Sequence, residues 1–454
     1  MADGDYKHTG RASRGTVLIV AMWIVLVLAG LVLVFARAVR VETTASANRV
    51  ARLQAEAVAR GGLRYVEAKL AGTNGAAIDE GVRCEAVPVG EGFFWSLAAD
   101  PEDERTHAFG IRDEASRLNL NTATQEMLLD LPGMTSELAA AIVDWRDPDG
   151  EVSPGGAESE YYLLLDEPYL CKNAPFETVE ELLRVKGASL ELLFGEDANR
   201  NGVLDPNEND GSDTGPPDNG DGNLDRGLFD YLTVYSAEPN LDADGRERIN
   251  VNDVRAEGLS ELLREVLADD RFFQVMERVR GGRPFENVLE FRFKTGLTPD
   301  EFAPVADQIT TTDDETLRGL VNVNTAPRAV LLCLRGLEEG DVDALLAHRG
   351  AEDADLDTVA WVGEVLPREK AVRVGGLITT RSFQYCADIV AASAVGRSYC
   401  RYRAVIDAST DAPRVMFWHE CTHLGWPLDS EVLAQLRTGD VQTNPGGVTS
   451  AGAW

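Results

Sequence analysis

Positive charge is in short supply in this chain. Lys and Arg number 43 against 76 Asp and Glu, and the formal net charge is −33. Nucleic-acid binding draws on clustered Lys and Arg that displace counterions from phosphate. The balance therefore argues against a nucleic-acid partner and suits an extracytoplasmic surface and hard-cation binding. Histidine is scarcer still, at five. His419-Glu420-Cys421-Thr422-His423 satisfies the HExxH pattern, whose chemistry requires both histidines on one helix face with Glu as general base. Here the segment ends the strand-like run Val415-Met-Phe-Trp, and Gly425-Trp-Pro427 stops any helix within a turn. No third ligand and no other nucleophile–base arrangement is evident, so the expectation is a protein that is not an enzyme. The six cysteines (Cys84, Cys171, Cys333, Cys386, Cys400, Cys421) contain no CxxC and no zinc spacing. In an oxidising compartment some could pair. Turns near Ser393 and Asp411 leave Cys400 able to face either Cys386 or Cys421 across a hairpin.

Long apolar runs are also rare, and the single one is informative. Thr16 to Ala36 carries no charge. As a helix it measures ~31 Å, enough to cross a hydrocarbon core of about 30 Å. A short leader with Lys7, Arg11 and Arg14 precedes it and ends in Gly15. That layout is similar to a type IV prepilin, cut after the glycine and keeping its apolar segment. A plain signal anchor fits the length equally well. A cleaved secretory signal fits less well, because Arg37 and Arg40 separate the run from Ala45-Ser46-Ala47. Counting Thr16 as the first mature residue, position five is Val20, where most pilins carry Glu. A carboxylate in lipid is costly and is kept to pair with a neighbour's terminal amine. Its absence points to a filament tip or to no filament.

Beyond the apolar run, an Ala-rich amphipathic stretch over residues 37–72 continues the helix, with Gly61-Gly62 the expected place for a kink. Residues 73–117 read as irregular or strand-like. The chain then repeats itself. Leu118-Asn-Leu-Asn-Thr-Ala123, Ile249-Asn-Val-Asn-Asp-Val254 and Val321-Asn-Val-Asn-Thr-Ala326 each open an apolar helical run. Each has a later partner: Pro175-Phe-Glu-Thr-Val179, Pro284-Phe-Glu-Asn-Val288 and a weaker Asp355-Leu-Asp-Thr-Val359. The Asn is expected to cap the helix that follows. The spacing places helical modules over 118–318 and 319–376, an antiparallel meander over 377–430 and a tail over 431–454, expected to be disordered.

Asp197-Ala-Asn199-Arg-Asn201-Gly202-Val203-Leu-Asp205-Pro-Asn-Glu208 fits the twelve-residue calcium loop. Oxygen side chains stand at positions 1, 3, 5, 9 and 12, Val203 offers its carbonyl, and Gly occupies position 6. Pro206 and Pro216-Pro217 leave no exiting helix, so the loop reads as a staple rather than a switch. Asp147, Asp149 and Glu158 form a second candidate, and Asp221, Asn223 and Asp225 in the 218–225 run a third, though that run lacks a terminal Glu.

The helical modules resemble paired helix-hairpin-helix units, which hold phosphate on a Gly-x-Gly turn. The turns here (Pro132-Gly133-Met134, Lys186-Gly187-Ala188, Arg335-Gly336-Leu337) have lost the second glycine and carry little basic charge. A membrane-anchored DNA-uptake receptor is therefore the alternative reading. Taken together, Gly15 with an apolar fifth residue, the Asn-x-Asn-Thr-Ala copies, Asp144-Trp-Arg-Asp147-Pro-Asp149 and Gly156-Ala-Glu158 with Tyr161-Tyr162 resemble the K-type minor pseudopilins of type II secretion systems. The resemblance implies an α+β, pilin-like fold: a long N-terminal transmembrane helix on a small antiparallel sheet, with a large helical insertion. It also implies cleavage after Gly15 by prepilin peptidase, methylation of Thr16, calcium (Ca2+) in the insertion, and a single-pass protein of the bacterial inner membrane with its bulk in the periplasm. The implied partners are I- and J-type minor pseudopilins and the major pseudopilin. Intact mass of membrane-extracted protein should give a chain starting at a methylated Thr16; a chain starting at Met1 would exclude prepilin processing.

Overall fold

The computed structural model describes residues 14–76, 82–98, 105–211, 213–253, 257–394, 396–439 and 441. Leader residues 1–13 lie outside it, so only the Gly15–Thr16 end of the processing site is seen, in the first turn of a helix.

That helix, Arg14–Leu70, is 57 residues long, or ~86 Å. Its large apolar side chains from Val17 to Phe35 are all exposed. From Ala51 onward one stripe is buried: Ala51, Ala55, Val58, Ala59, Val66 and Leu70, the three- and four-residue spacing of a single helix face. The helix passes through Gly61-Gly62 without interruption. The pair serves close packing rather than bending: a Cβ on Gly61 would stand 2.5 Å from Val89, and one on Gly62 2.9 Å from the Phe94 ring.

The surface under the stripe is a seven-stranded sheet. Val87–Val89 turns tightly into Gly92–Ala98, which pairs antiparallel with Gln384–Ala392. That central strand, buried along its whole length, pairs with Tyr399–Asp407, which pairs with the edge strand Arg414–Glu420. The short strands Ala108–Phe109 and Arg112–Asp113 complete the sheet. One face holds Phe94, Ile389, Ala391, Ala404 and Ile406 against the stem. The fold is α+β, and everything between Asp113 and Gln384 is inserted between two paired strands.

Two readings change. The segment expected to be a disordered tail contains a helix, Ser430–Thr438, closed by left-handed Gly439. Leu436 is buried with Trp95 and Val390 on the sheet's second face, and Val432 and Leu433 pack beside it. Three apolar positions on one short face are enough to dock it. Residues 440 and 442–454 lie outside the described residues. The cysteines are all buried and unbridged. Register explains one case: Cys386 stands opposite Val405 and Cys400 opposite Ala391, so those two are not partners across the hairpin.

The insertion repeats in space as in sequence. Each Asn-x-Asn copy begins on a two-residue strand with a parallel partner: Leu118–Asn119 with Leu232–Thr233, Ile249–Asn250 with Ile309–Thr310, and Val321–Asn322 with Ile378–Thr379. Helical segments lie between, for example Ser136–Arg146 in the first copy and Glu339–Arg349 in the third. Ile378–Thr379 thus closes the third copy, and the meander starts at Gln384. The Asn residues do not cap helices. The first Asn accepts the N–H of the second at 2.9 Å in every copy. Its amide donates across the parallel pair to Ser236, Asp313 or Ser382. The helix cap in the first copy is Thr124, whose hydroxyl accepts from the Met127 N–H. The second Asn clamps the downstream motif. Asn121 donates to the Phe176 carbonyl and accepts its N–H, and Asn252 does both with Phe285. Asn324 donates to the Leu356 carbonyl at 2.9 Å, while its Oδ1 is buried without a donor. An arginine holds the same loop from outside: Arg146 on the Leu120 and Ala123 carbonyls, Arg283 on Val251, and Arg349 on Val323 and Ala326.

A buried group left unpaired costs about 1–3 kcal/mol. Asn121→Ala and Asn252→Ala each strand a backbone N–H and a carbonyl, whereas Asn324→Ala strands one carbonyl. Urea unfolding should show the first two destabilised by at least ~1 kcal/mol more than the third; equal losses would remove the clamp assignment.

Candidate metal centres and the seam with the sheet

The loop 197–208 is where the insertion meets the sheet. Asp197 takes the N–H groups of Asn201 (3.0 Å) and Gly202 (2.8 Å). Gly202 is left-handed, φ +77°, as position 6 of a calcium loop requires. Glu208 reaches back to both ends of the loop, accepting from Ala198 N at 2.9 Å and Asp205 N at 3.0 Å. Asp205 takes the Asn199 and Asn201 amides at 2.6 and 3.2 Å. Asp197 and Glu208 are buried. Burial, reinforced by the Asp230 charge, pushes the Asp197 carboxyl up to about 6. Burial, with Asp197 and Asp205 adding repulsion, pushes Glu208 up to about 7. Pro206–Glu208 forms a single 3-10 turn and no helix leaves the loop.

The loop is pinned from the sheet side by Arg401, which is fully buried on Tyr399–Asp407. Its Nε and Nη2 each donate to Asp388 at 2.7 Å, Nη2 also donates to the Arg200 carbonyl at 2.7 Å, and Nη1 donates to the Asn199 carbonyl. The Asn201 amide donates to Pro427 beyond the edge strand, at 2.9 Å. Around this pin the scarce positive charge is concentrated. Arg112 and Arg226 pair with Asp230 at 2.9 and 3.3 Å, and Arg117 pairs with Glu114 at 3.3 Å. The two arginines at Asp230 hold its carboxyl well below the usual range, against the effect of burial.

The 218–225 run is folded as a second loop beside the first. Asp221 accepts the Asn223 N–H at 2.8 Å, Asn219 donates to Asp225 at 3.0 Å, and Gly222 is left-handed. The carboxylate this run lacks in sequence is supplied by Glu196, which accepts the N–H groups of Asn219 (3.0 Å) and Asp225 (3.3 Å). Glu196 precedes the run by more than twenty residues, so no fixed-spacing motif would include it.

The candidate built on Asp147 and Glu158 is the one with unsatisfied oxygens. Asp144, on Ser136–Arg146, is fully buried and accepts the Ser153 N–H. A Cβ on Gly156 would stand 2.0 Å from its Oδ2, so only glycine fits there. Asp147 Oδ1, both Glu158 carboxylate oxygens and Asn173 Oδ1 are buried with no hydrogen-bond donor. Burial raises the Asp147 carboxyl, with Asp149 and Asp144 adding to the rise. Burial raises Glu158 too, opposed by the nearby Cys171 thiol and Ser159 N–H, with the Asp144 charge adding to the rise. Asp149 is exposed, and its Oδ1 accepts the Glu151 N–H at 2.9 Å. Asp144 and Asn173 are the additional members. Buried oxygens without a donor, on three residues near Asp144, are groups that a hard cation would satisfy. Among the described residues, no three His, Cys, Asp or Glu side chains stand close enough together to hold a metal by themselves. A cation at any of these candidates would need amide or main-chain oxygens as well.

The remaining motifs have structural places. His419 lies on the edge strand and His423 in the 3-10 turn Thr422–Leu424, so HExxH is not on a helix. The hairpin turns keep left-handed Gly133, Gly187 and Gly336, but their backs are covered by the chain itself. Leu192 lies against Gly133, Leu138 against Gly187 and Arg373 against Gly336.

No curated protein matches the chain in sequence. Among solved structures, the GspK–GspI–GspJ complex from the enterotoxigenic Escherichia coli Type 2 Secretion System contains a similar chain, 12% identical, with a TM-score of 0.41 over 84% of this chain and 98% of that one. Residues 110–193 match the family model described as type II secretion system (T2SS), protein K. The match runs from the strand Arg112–Asp113 through the first Asn-x-Asn copy and its hairpins, and includes Asp144, Asp147, Glu158 and Asn173. Over residues 110–193 the chain is therefore similar to the type II secretion protein K family.

Proposed function

We propose that this chain is the minor pseudopilin that caps the periplasmic pseudopilus of a type II secretion system and helps nucleate it, supporting export of folded proteins across the outer membrane without enzymatic activity. The observation that carries the reading is the division of the Arg14–Leu70 helix. One segment is apolar and exposed throughout, and the next is glued to a sheet that carries the insertion. An exposed apolar helix is stable in a bilayer or against other apolar helices. Prepilin peptidase would release it at Gly15, leaving Thr16 to be methylated. In the inner membrane it would pack with the helices of I- and J-type partners and then of the major pseudopilin. Val20 offers no carboxylate to a subunit above, and the insertion at Asp113–Gln384 adds bulk that would block one. Val20→Glu is the direct test. It should leave stability unchanged and allow subunits to be crosslinked above this one in membranes; unaltered crosslinks would remove Val20 from the account.

Calcium is the cofactor in this reading. Asp197, Asn199, Asn201, Val203, Asp205 and Glu208 would hold one ion. Asp147 and Glu158 would hold another, joined by Asp144 and Asn173. Asp221, Asn223 and Asp225 with Glu196 have the composition for a third. A bound ion would supply charge neutralisation and nothing more, cancelling repulsion among the buried carboxylates.

The pH dependence follows from the raised carboxyls. Stability tied to protonated Asp197 and Glu208 is present below about pH 4. It is lost as pH rises through about 6 and about 7, where the folded groups ionise. Calcium competes with those protons, so its effect should be small near pH 4.5 and complete above pH 7. Calcium at 100 times its Kd should add about 2.7 kcal/mol per site. Full-length protein in detergent should therefore melt higher with calcium than with chelator at pH 7.5. Asp197→Asn with Glu208→Gln should remove part of that difference and Glu158→Gln another part. A melting temperature indifferent to calcium at pH 7.5 would contradict the staple.

A further inference from the structure

We infer that residues 161–170, with the adjoining 183–190 turn, form a docking surface for another protein that presents an apolar segment flanked by lysine or arginine. Outside the stem helix, large apolar side chains are rarely exposed in this chain, and here they gather. Leu164 is 87% exposed, Leu170 65% and Leu190 64%, with Tyr161, Leu163 and Leu183 also open to solvent. Two features separate this patch from a loose loop.

The first is the rigidity of its base. Tyr162, fully buried, meets the Trp145 ring edge-on at 5.2 Å and stacks on Tyr169 at 5.2 Å. The Tyr162 hydroxyl accepts the Lys186 N–H at 3.2 Å, and the Tyr169 hydroxyl donates to the Arg184 carbonyl at 2.7 Å. Those two bonds tie the 161–170 segment to the 183–190 turn, and Cys171 N–H donates to the Ser159 hydroxyl at 3.1 Å to close the segment's base. The leucines thus stand exposed on a segment braced by a packed aromatic platform. Leaving a leucine in water forgoes about 1.5–3 kcal/mol, and a contiguous patch of this kind on a soluble face marks a contact surface.

The second feature is charge, which chooses the occupant. Glu160, Asp166, Glu167 and Glu191 are exposed around the leucines. Of the nearby cations, Lys186 is already committed: its Nζ donates to the Gly155 and Gly156 carbonyls and lies 5.2 Å from the Tyr161 ring. Arg184 is left on the rim. A second copy of this chain, at −33, would bring like charge to the same rim. A segment with apolar anchors and flanking Lys or Arg meets both parts of the surface.

The probe is a fluorescent peptide of consecutive leucines between lysine pairs, titrated against full-length protein in detergent, with a glutamate-flanked peptide as its counterpart. Wild type should bind the lysine peptide, more weakly as salt is raised, and should ignore the glutamate peptide. Leu164→Ser with Leu170→Ser should weaken binding at least about tenfold, or 1.4 kcal/mol. Because both side chains are solvent-facing, the melting temperature should not move. Equal binding by wild type and variant, or equal binding of the two peptides, would overturn the assignment. So would no binding, or a wild-type dimer that the double variant dissolves.

Discussion

The buried pair of Arg401 and Asp388 is the contact on which the arrangement of this molecule depends. A guanidinium taken wholly out of water is tolerated only when its donors and its charge are met. Asp388, on the central strand, meets the charge; the carbonyls of Asn199 and Arg200 take the remaining donors. One side chain therefore joins two strands of the sheet to a loop some two hundred residues earlier. Losing either partner of such a pair typically costs 3–5 kcal/mol. The other seam residues repeat the device: Arg112 on Asp230, and Asp113 accepting from Thr325 at 2.6 Å and from Asn322 at 3.2 Å. A strongly acidic chain has spent its arginines where the insertion touches the sheet.

That placement also explains why an acidic loop sits at the seam. The loop that offers its carbonyls to Arg401 carries buried carboxylates, and burial, with repulsion from neighbouring carboxylates behind it, raises the pKa of Asp197 and Glu208. A hard cation would relieve that repulsion and fix the carbonyls in position for Arg401. The same logic would hold at Asp147 and Glu158, whose buried oxygens have no donor. The insertion has its own apolar core, running from Leu118 to Ile378, and the proposed ions would add charge compensation at its acidic loops.

Much of this was legible in the sequence, for identifiable reasons. A charge-free run, a helical stripe and three Asn-x-Asn copies are local patterns whose physics acts over a few residues. The clamp made by the second Asn was not legible, because its partners Phe176 and Phe285 are joined to it only by folding. Nor was the closing strand of each repeat, although Leu232-Thr-Val-Tyr-Ser236, Ile309-Thr-Thr-Thr-Asp313 and Ile378-Thr-Thr-Arg-Ser382 share a Thr-x-x-Ser or Thr-x-x-Asp signature that a search for repeats could find. Asn ahead of a helix suggested a cap, and the parallel pair claimed the side chain instead. The calcium loop was read from spacing alone. Glu196 and Asn173 needed the fold, since each approaches its neighbours from another part of the chain. The docked Ser430–Thr438 helix was obscured by the low-complexity sequence that follows it.

The central claim is that insertion and sheet act as one unit through Arg401. Amide hydrogen exchange on full-length Arg401→Leu, compared with wild type, tests it most directly. The account predicts that residues 197–208 and the strands Gln384–Ala392 and Tyr399–Asp407 lose protection together. Loss of protection in the loop alone, with both strands unchanged, would contradict it.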